Sequence, residues 1–85
     1  MIKNIKVSVI IPSYDGYRNG KCKSLCAQLD RQTLFPIEII TVIAVSPNGR
    51  ARNVGVEEAS GDYYVFIDDD VALGDETVLE KLIRP

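Results

Sequence analysis

The chain has no histidine, only two cysteines, no clustered lysines or arginines and no long apolar run. Without histidine or a second cysteine pair, the cysteines are not expected to form a structural metal site. Cys22 and Cys26 stand four apart in a helical pattern. They share a face and read as small buried hydrophobes, with redox chemistry the lesser alternative. A reducing compartment suits them better than a secreted one. No basic patch is interleaved with aromatics, and the formal charge is −2 with a pI of about 5.0, so a nucleic-acid surface is excluded as well. The apolar run Val7 to Ile11 is interrupted by Ser8 and stopped by Pro12. It is too short for a signal-sequence core or a membrane span, so the expectation is a cytoplasmic chain without a membrane segment.

What is present is ordinary for a small globular unit. Eighty-five residues make one domain at most, with 46% hydrophobic and 26% charged residues. Proline and glycine are scattered as punctuation, so no stretch reads as a linker or low-complexity tract. There is no internal repeat.

The first strand is expected over Lys6 to Ile11, where β-branched residues run almost unbroken, as in a strand covered on both faces. Pro12 ends it, and Ser13-Tyr14-Asp15-Gly16 has turn chemistry. A helix follows from Asn19 or Gly20 to Arg31, with Cys22, Leu25, Cys26 and Leu29 on one face. Pro36 breaks the chain before a second strand of the same buried type, Ile37 to Ala44 or Val45. Ser46-Pro47-Asn48-Gly49 is a turn. A short helix from Arg50 or Ala51 to Ala59 is closed by Ser60-Gly61-Asp62, with Gly61 as a left-handed cap. Tyr63 to Ile67 forms a third strand. Asp75 then caps a last helix that buries Val78, Leu79, Leu82 and Ile83.

The order βαβαβα implies a three-layer α/β fold on a mainly parallel sheet with right-handed crossovers. With strand order 2-1-3, the loop Pro12–Asp15 and the run Asp68–Asp70 meet at the carboxyl ends of the strands, where such sheets bind ligands. Three strands leave both edges bare, an invitation to pairing with another copy or with further sequence. The stop just after an amphipathic helix reads as a cut, so residues 1–85 are expected to be the amino-terminal portion of a longer domain.

Three segments can carry chemistry. Asp68-Asp69-Asp70 ends an apolar strand, and carboxylates there suit a hard divalent cation such as Mg²⁺ or Mn²⁺. Such an ion bridges a diphosphate and neutralises it as a leaving group. The plainer alternative is a solvated acidic turn, but three adjacent carboxylates repel and call for a compensating ligand. Pro12-Ser13-Tyr14-Asp15 offers a ring to stack on a base and a hydroxyl and carboxylate for base or ribose edges; alternatively Tyr14 only covers the sheet end. Arg50 and Arg52, near a helix start, suit phosphate or a base carbonyl, unless they merely pair with Glu57 and Glu58.

Taken in order, Ile11-Pro12-Ser13-Tyr14-Asp15, the run Gln28 to Thr33, Ala51-Arg52-Asn53-Val54-Gly55, Ala59-Ser60-Gly61-Asp62-Tyr63 and Phe66-Ile67-Asp68-Asp69-Asp70 resemble the GT-A glycosyltransferases of family 2. The resemblance implies a Rossmann-like nucleotide-binding half with a nucleotide-diphosphate sugar as partner, UDP being the expected nucleotide. It implies nucleotide contacts from Pro12, Ser13, Tyr14, Asp15, Arg52, Asp68 and Asp69, and a metal held by Asp70 and Asp68. Transfer to an acceptor hydroxyl would occur with inversion. The family's catalytic base and acceptor region lie later in the chain, so the 85 residues alone are expected to be inactive. Its usual aspartate after the second strand is missing from Thr41 to Pro47, which leaves Ser46 or Asn48 to contact the base. Two other readings compete. One is a haloacid-dehalogenase-like phosphotransferase with Asp68 as nucleophile and Asp70 as acid/base, although Ala72 stands where that family has Thr or Val. The other is a non-catalytic module that dimerises through its sheet edges.

Overall fold

Val7–Ser13 (β1) is buried at every position, as befits a strand flanked on both edges and covered on both faces. The computed structural model describes residues 6–34, 36–45 and 48–83. After β1 come α1 (Lys21–Leu29), β2 (Glu38–Ile43), α2 (Asn48–Glu58), β3 (Tyr63–Phe66) and α3 (Val78–Ile83). The sheet is parallel in the order β2-β1-β3, the order expected from the connectivity. Phe35, Ser46, Pro47, Arg84 and Pro85, including part of the expected turn, lie outside the described residues.

Alternation along β1 divides the core in two. Val7, Val9 and Ile11 pack with Leu25 and Leu29 of α1, Val65, Ile67 and Leu79. Ile10 faces the other way and packs with Val42 and with Ala51 of α2. The helices therefore cover both faces, giving three layers. Each fully buried aliphatic side chain contributes about 1.5–3 kcal/mol, so β1, with four of them, is the energetic centre of the sheet. Among the described residues no helix is long and apolar enough to cross a membrane.

Four expectations change in the folded chain. First, Pro12 does not end β1. The strand continues through Ser13, with Pro12 opposite Val42 in the β2 register. Ile10 accepts a bond from the Ile67 N–H on the β3 side, and Pro12, two residues on, also faces that side. By then β3 has ended at Phe66. Proline's missing N–H therefore costs no ladder bond.

Second, β2 is half-buried rather than fully buried, because it is an edge strand. Third, Gly61 is not left-handed; among the described glycines only Gly16 and Gly20 are. Gly61 is required for space instead. A Cβ there would lie 2.5 Å from Ser8 Oγ, 2.8 Å from Ser8 N and 2.9 Å from the Lys6 carbonyl oxygen.

Fourth, Asp75 does not cap α3 directly. Its Oδ1 accepts from the N–H and hydroxyl of Thr77 at 2.7 Å each, a local turn preceding a helix that begins at Val78. These bonds, the hydroxyl first, hold the Asp75 carboxyl below its ordinary pKa. In α3 Leu79 is fully buried, but Leu82 is 61% exposed and belongs to no core.

The segment between β3 and α3 is fastened to the end of α1. Gln28 Oε1 accepts from the Leu73 N–H at 2.6 Å. Gln32 is buried, donates to the Asp75 carbonyl at 2.8 Å and accepts from the Leu79 N–H at 3.1 Å. The Thr33 N–H donates to the Glu76 carbonyl at 2.7 Å. The Gln-Thr at the helix end thus secures the chain that leaves the acidic run.

Candidate functional site

Because β1 extends beyond the end of β3, the carboxyl ends of the strands leave a gap. The chain crosses it as Asp68, Asp69 and Asp70. The gap is a cleft of about 360 Å³. One wall is Asp68 to Asp70; Pro12, Ser13 and Tyr14 form the floor and rim. Ala44 and Val45, just past β2, supply an apolar side.

Alternation continues through the acidic run. Ile67 and Asp69 are buried, while Asp68 and Asp70 are exposed. Asp69 is 7% exposed and its Oδ2 accepts a 2.7 Å hydrogen bond from the Ser13 hydroxyl. Ser13 Oγ in turn accepts from the Gly16 N–H at 2.9 Å. Buried polar groups are costly unless paired, and no buried side-chain polar atom among the described residues lacks a partner. Ser13 therefore ties the β1 loop to the acidic run, with Asp68 and Asp70 held outward on either side.

The loop after β1 is built by Asp15. Its Oδ1 accepts from the N–H groups of Tyr17 at 2.8 Å and Arg18 at 2.9 Å. Those bonds, the Arg18 N–H first, hold the Asp15 carboxyl below its ordinary pKa. Arg18 and Asn19 both take positive φ, 46° and 55°, a conformation that is uncommon outside glycine. The result turns Arg18 back over the cleft, where Nη2 pairs with Asp70 Oδ2 at 3.2 Å. Tyr14 stands at the rim, 86% exposed.

Of the residues singled out from sequence, Pro12, Ser13, Tyr14, Asp68, Asp69 and Asp70 meet in this cleft. Asp15 shapes the loop without lining the cavity. Arg52 is not in its wall. It lies on α2 with its guanidinium carbon 5.5 Å from the centre of the Phe66 ring, in cation–π range. Ser46 lies outside the described residues, and Asn48 is the first residue of α2.

Sequence reasoning missed Arg18, Ala44 and Val45. Ala44 and Val45 were findable, because residues following a parallel strand line the crevice. Arg18 had only a faint signal, its position three residues after an aspartate with turn propensity.

Comparison with known proteins adds the family. No curated protein and no solved structure matches the chain. The family model described as glycosyl transferase family 2 matches residues 37–85, which carry β2, α2, β3, the acidic run and α3. That span is more than half of the 85 residues and includes the aspartates of the cleft wall; the chain belongs to glycosyl transferase family 2.

Proposed function

We propose that the cleft is the donor site of the transferase, taking the diphosphate of a nucleotide sugar together with a divalent cation, Mg²⁺ or Mn²⁺. The observation that carries this reading is the exposed–buried–exposed alternation of Asp68, Asp69 and Asp70 at the carboxyl end of β3. Members of the family bind nucleotide sugars and typically use divalent cations.

The residues present fit an open cation site. Among the described residues no group of three or more Asp, Glu, His or Cys is arranged to enclose a metal ion. Mg²⁺ does not require such a cage. It binds through one or two carboxylates and fills its remaining positions with water and substrate phosphates. Asp68 and Asp70 supply that pair, and Arg18 already places a positive charge 3.2 Å from Asp70. A cation bound there neutralises the charge that develops on the departing diphosphate, an effect of several kcal/mol.

The other side chains orient the donor. Tyr14 offers a ring face to the nucleobase, against the apolar surface of Ala44 and Val45. Among the described residues no side-chain carboxylate lies on that apolar side, so base contact there falls to stacking and backbone groups. UDP is the nucleotide we expect. Ser13 keeps Asp69 turned inward and so sets the separation of Asp68 from Asp70.

In the complete reaction an acceptor hydroxyl attacks the anomeric carbon with inversion and must lose its proton. Within this cleft Asp69 is bonded to Ser13, and Asp68 and Asp70 would hold the cation. Among the described residues no cleft carboxylate would then be left to act as base, so the expected behaviour of the 85-residue chain is donor binding without sugar transfer.

The test is calorimetric titration with UDP and GDP, with and without Mn²⁺, on the wild type and Asp70→Ala. Binding that requires Mn²⁺ and is lost in the variant is the expected result. Equal binding after chelation of the metal, or no binding of either nucleotide, overturns the assignment. Measurable sugar transfer by the isolated chain overturns its incompetence alone.

A further inference from the structure

We infer that Arg18 is a resident counter-cation of the site: it occupies the cation position on Asp70 in the free protein and moves to the diphosphate when donor and metal enter. This inference rests on the donor-site reading above and assigns a role to a residue that reading does not need.

Three observations carry it. Arg18 is the one basic side chain lining the cleft among the described residues; it shares that lining with Asp68, Asp69 and Asp70 and contacts Asp70. One positive charge against three negative ones leaves the wall with a surplus that would repel a diphosphate; a divalent ion is needed to cancel it. Arg18 is also firmly held there. Its backbone sits at φ 46° and its N–H is bonded to Asp15 Oδ1 at 2.9 Å, so the loop keeps an uncommon conformation that directs the guanidinium to Asp70. Finally, the pair is weak enough to exchange. The side chains of Arg18 and Asp70 are 53% and 40% exposed, and the contact is a single 3.2 Å approach rather than a bidentate clamp. Such pairs break readily.

With a divalent ion held by Asp70, the Arg18 guanidinium would leave that carboxylate. It would find a better partner in the diphosphate, because the planar fork matches phosphate oxygens and charge-assisted bonds of that kind are the strong ones. Arg18 thus competes with the metal in the absence of nucleotide and assists it in the presence of nucleotide. The bare acidic wall is shielded until a donor arrives.

The experiment compares wild type with Arg18→Gln and Arg18→Lys. Mn²⁺ binding to the nucleotide-free protein is followed by electron paramagnetic resonance, and UDP and uridine binding at saturating Mn²⁺ by calorimetry. In Arg18→Gln, Mn²⁺ affinity should rise roughly two- to fivefold once the competing charge is gone. UDP affinity should fall about tenfold or more with the loss of a charged phosphate contact. Uridine, which has no phosphate, should bind as in the wild type, and Arg18→Lys should recover part of the UDP affinity. Either the Mn²⁺ or the UDP titration remaining at its wild-type value overturns the inference. So does an equal loss of uridine, which would mark a general disturbance of the loop. A wild-type protein that binds neither Mn²⁺ nor UDP removes the donor-site reading itself, whereas normal wild-type binding with an unaffected variant removes only the role of Arg18.

Discussion

Near the start of β1, Ser8 donates to Glu38 Oε2 at 2.6 Å; at its end, Ser13 donates to Asp69 Oδ2 at 2.7 Å. The two ends of the sheet begin from the same pair, a buried serine on the central strand and a neighbouring carboxylate. At the amino end the arrangement closes. Glu38 Oε2 also accepts from the Ser60 N–H at 2.6 Å and the Ser60 hydroxyl at 3.1 Å, and Ser8 Oγ accepts from the Gly61 N–H at 2.8 Å. The Ser60 N–H first, and then the Ser8 hydroxyl, hold the Glu38 carboxyl below its ordinary pKa. One carboxylate meets three donors, all of them on the single oxygen Oε2.

At the carboxyl end three carboxylates meet one hydroxyl and one guanidinium. The serine–aspartate pair fixes geometry, and Asp68 and Asp70 remain exposed, Asp70 with a single partner among the described residues, Arg18. The difference between the structural clasp and the proposed ligand site is thus the ratio of donors to charges rather than the residue types.

The comparison can be broken most sharply at Asp70. Asp70→Ala should weaken Mn²⁺-dependent nucleotide binding roughly a hundredfold while leaving stability within about 0.5 kcal/mol, since an exposed carboxylate contributes little to folding. A large fall in the urea unfolding midpoint would make the cleft a structural element like the clasp. Next in size is Gly61→Ala, whose new methyl group meets backbone atoms that cannot yield easily. It should destabilise by about 1–3 kcal/mol, measured by urea unfolding, with nucleotide affinity unchanged. Altered affinity would show that the two ends are coupled through β1.

Ser8→Ala removes one donor from Glu38 and the acceptor of the Gly61 N–H. It should cost about 1–2 kcal/mol by the same measurement, again without effect on binding. The smallest effect is the pH dependence of the clasp. Glu38 is lowered in the folded chain, so its contribution is fully present above the unfolded value of about 4.3 and is lost as pH falls through the lower folded value. The wild type should therefore lose thermal stability between about pH 4.3 and more acidic pH, and the gap to Glu38→Gln should narrow over that range. A gap that widens on acidification would reverse the assigned sign.

Much of this molecule was legible in residue order. The apolar periodicities of β1 and of Cys22, Leu25 and Leu29 fixed a buried central strand and a helix face, because period two and period 3.6 leave different spacings. Alternation of strand and helix implied a parallel sheet with right-handed crossovers, and the order 2-1-3, the one that brings the β1 loop beside the acidic run, is the order of the folded sheet. Asp68, Asp69 and Asp70 marked the candidate site, the cleft they line, because adjacent like charges at the end of an apolar strand repel one another and call for a counter-charge.

Local pattern could not show how far strands extend relative to one another. β1 outlasts β3, and this alone lets Pro12 stay in the strand and opens the cleft. The space demanded by Gly61, the exposure of Leu82 and the stacking of Arg52 on Phe66 likewise depend on neighbours distant in sequence. So does the contact of Arg18 with Asp70, fifty-two positions away. Sequence alone determined which elements form, their order and where charge accumulates, since these follow from spacing and composition. Tertiary structure decided which carboxylate is buried, which are exposed and which cation meets them, because those depend on distances that only packing sets.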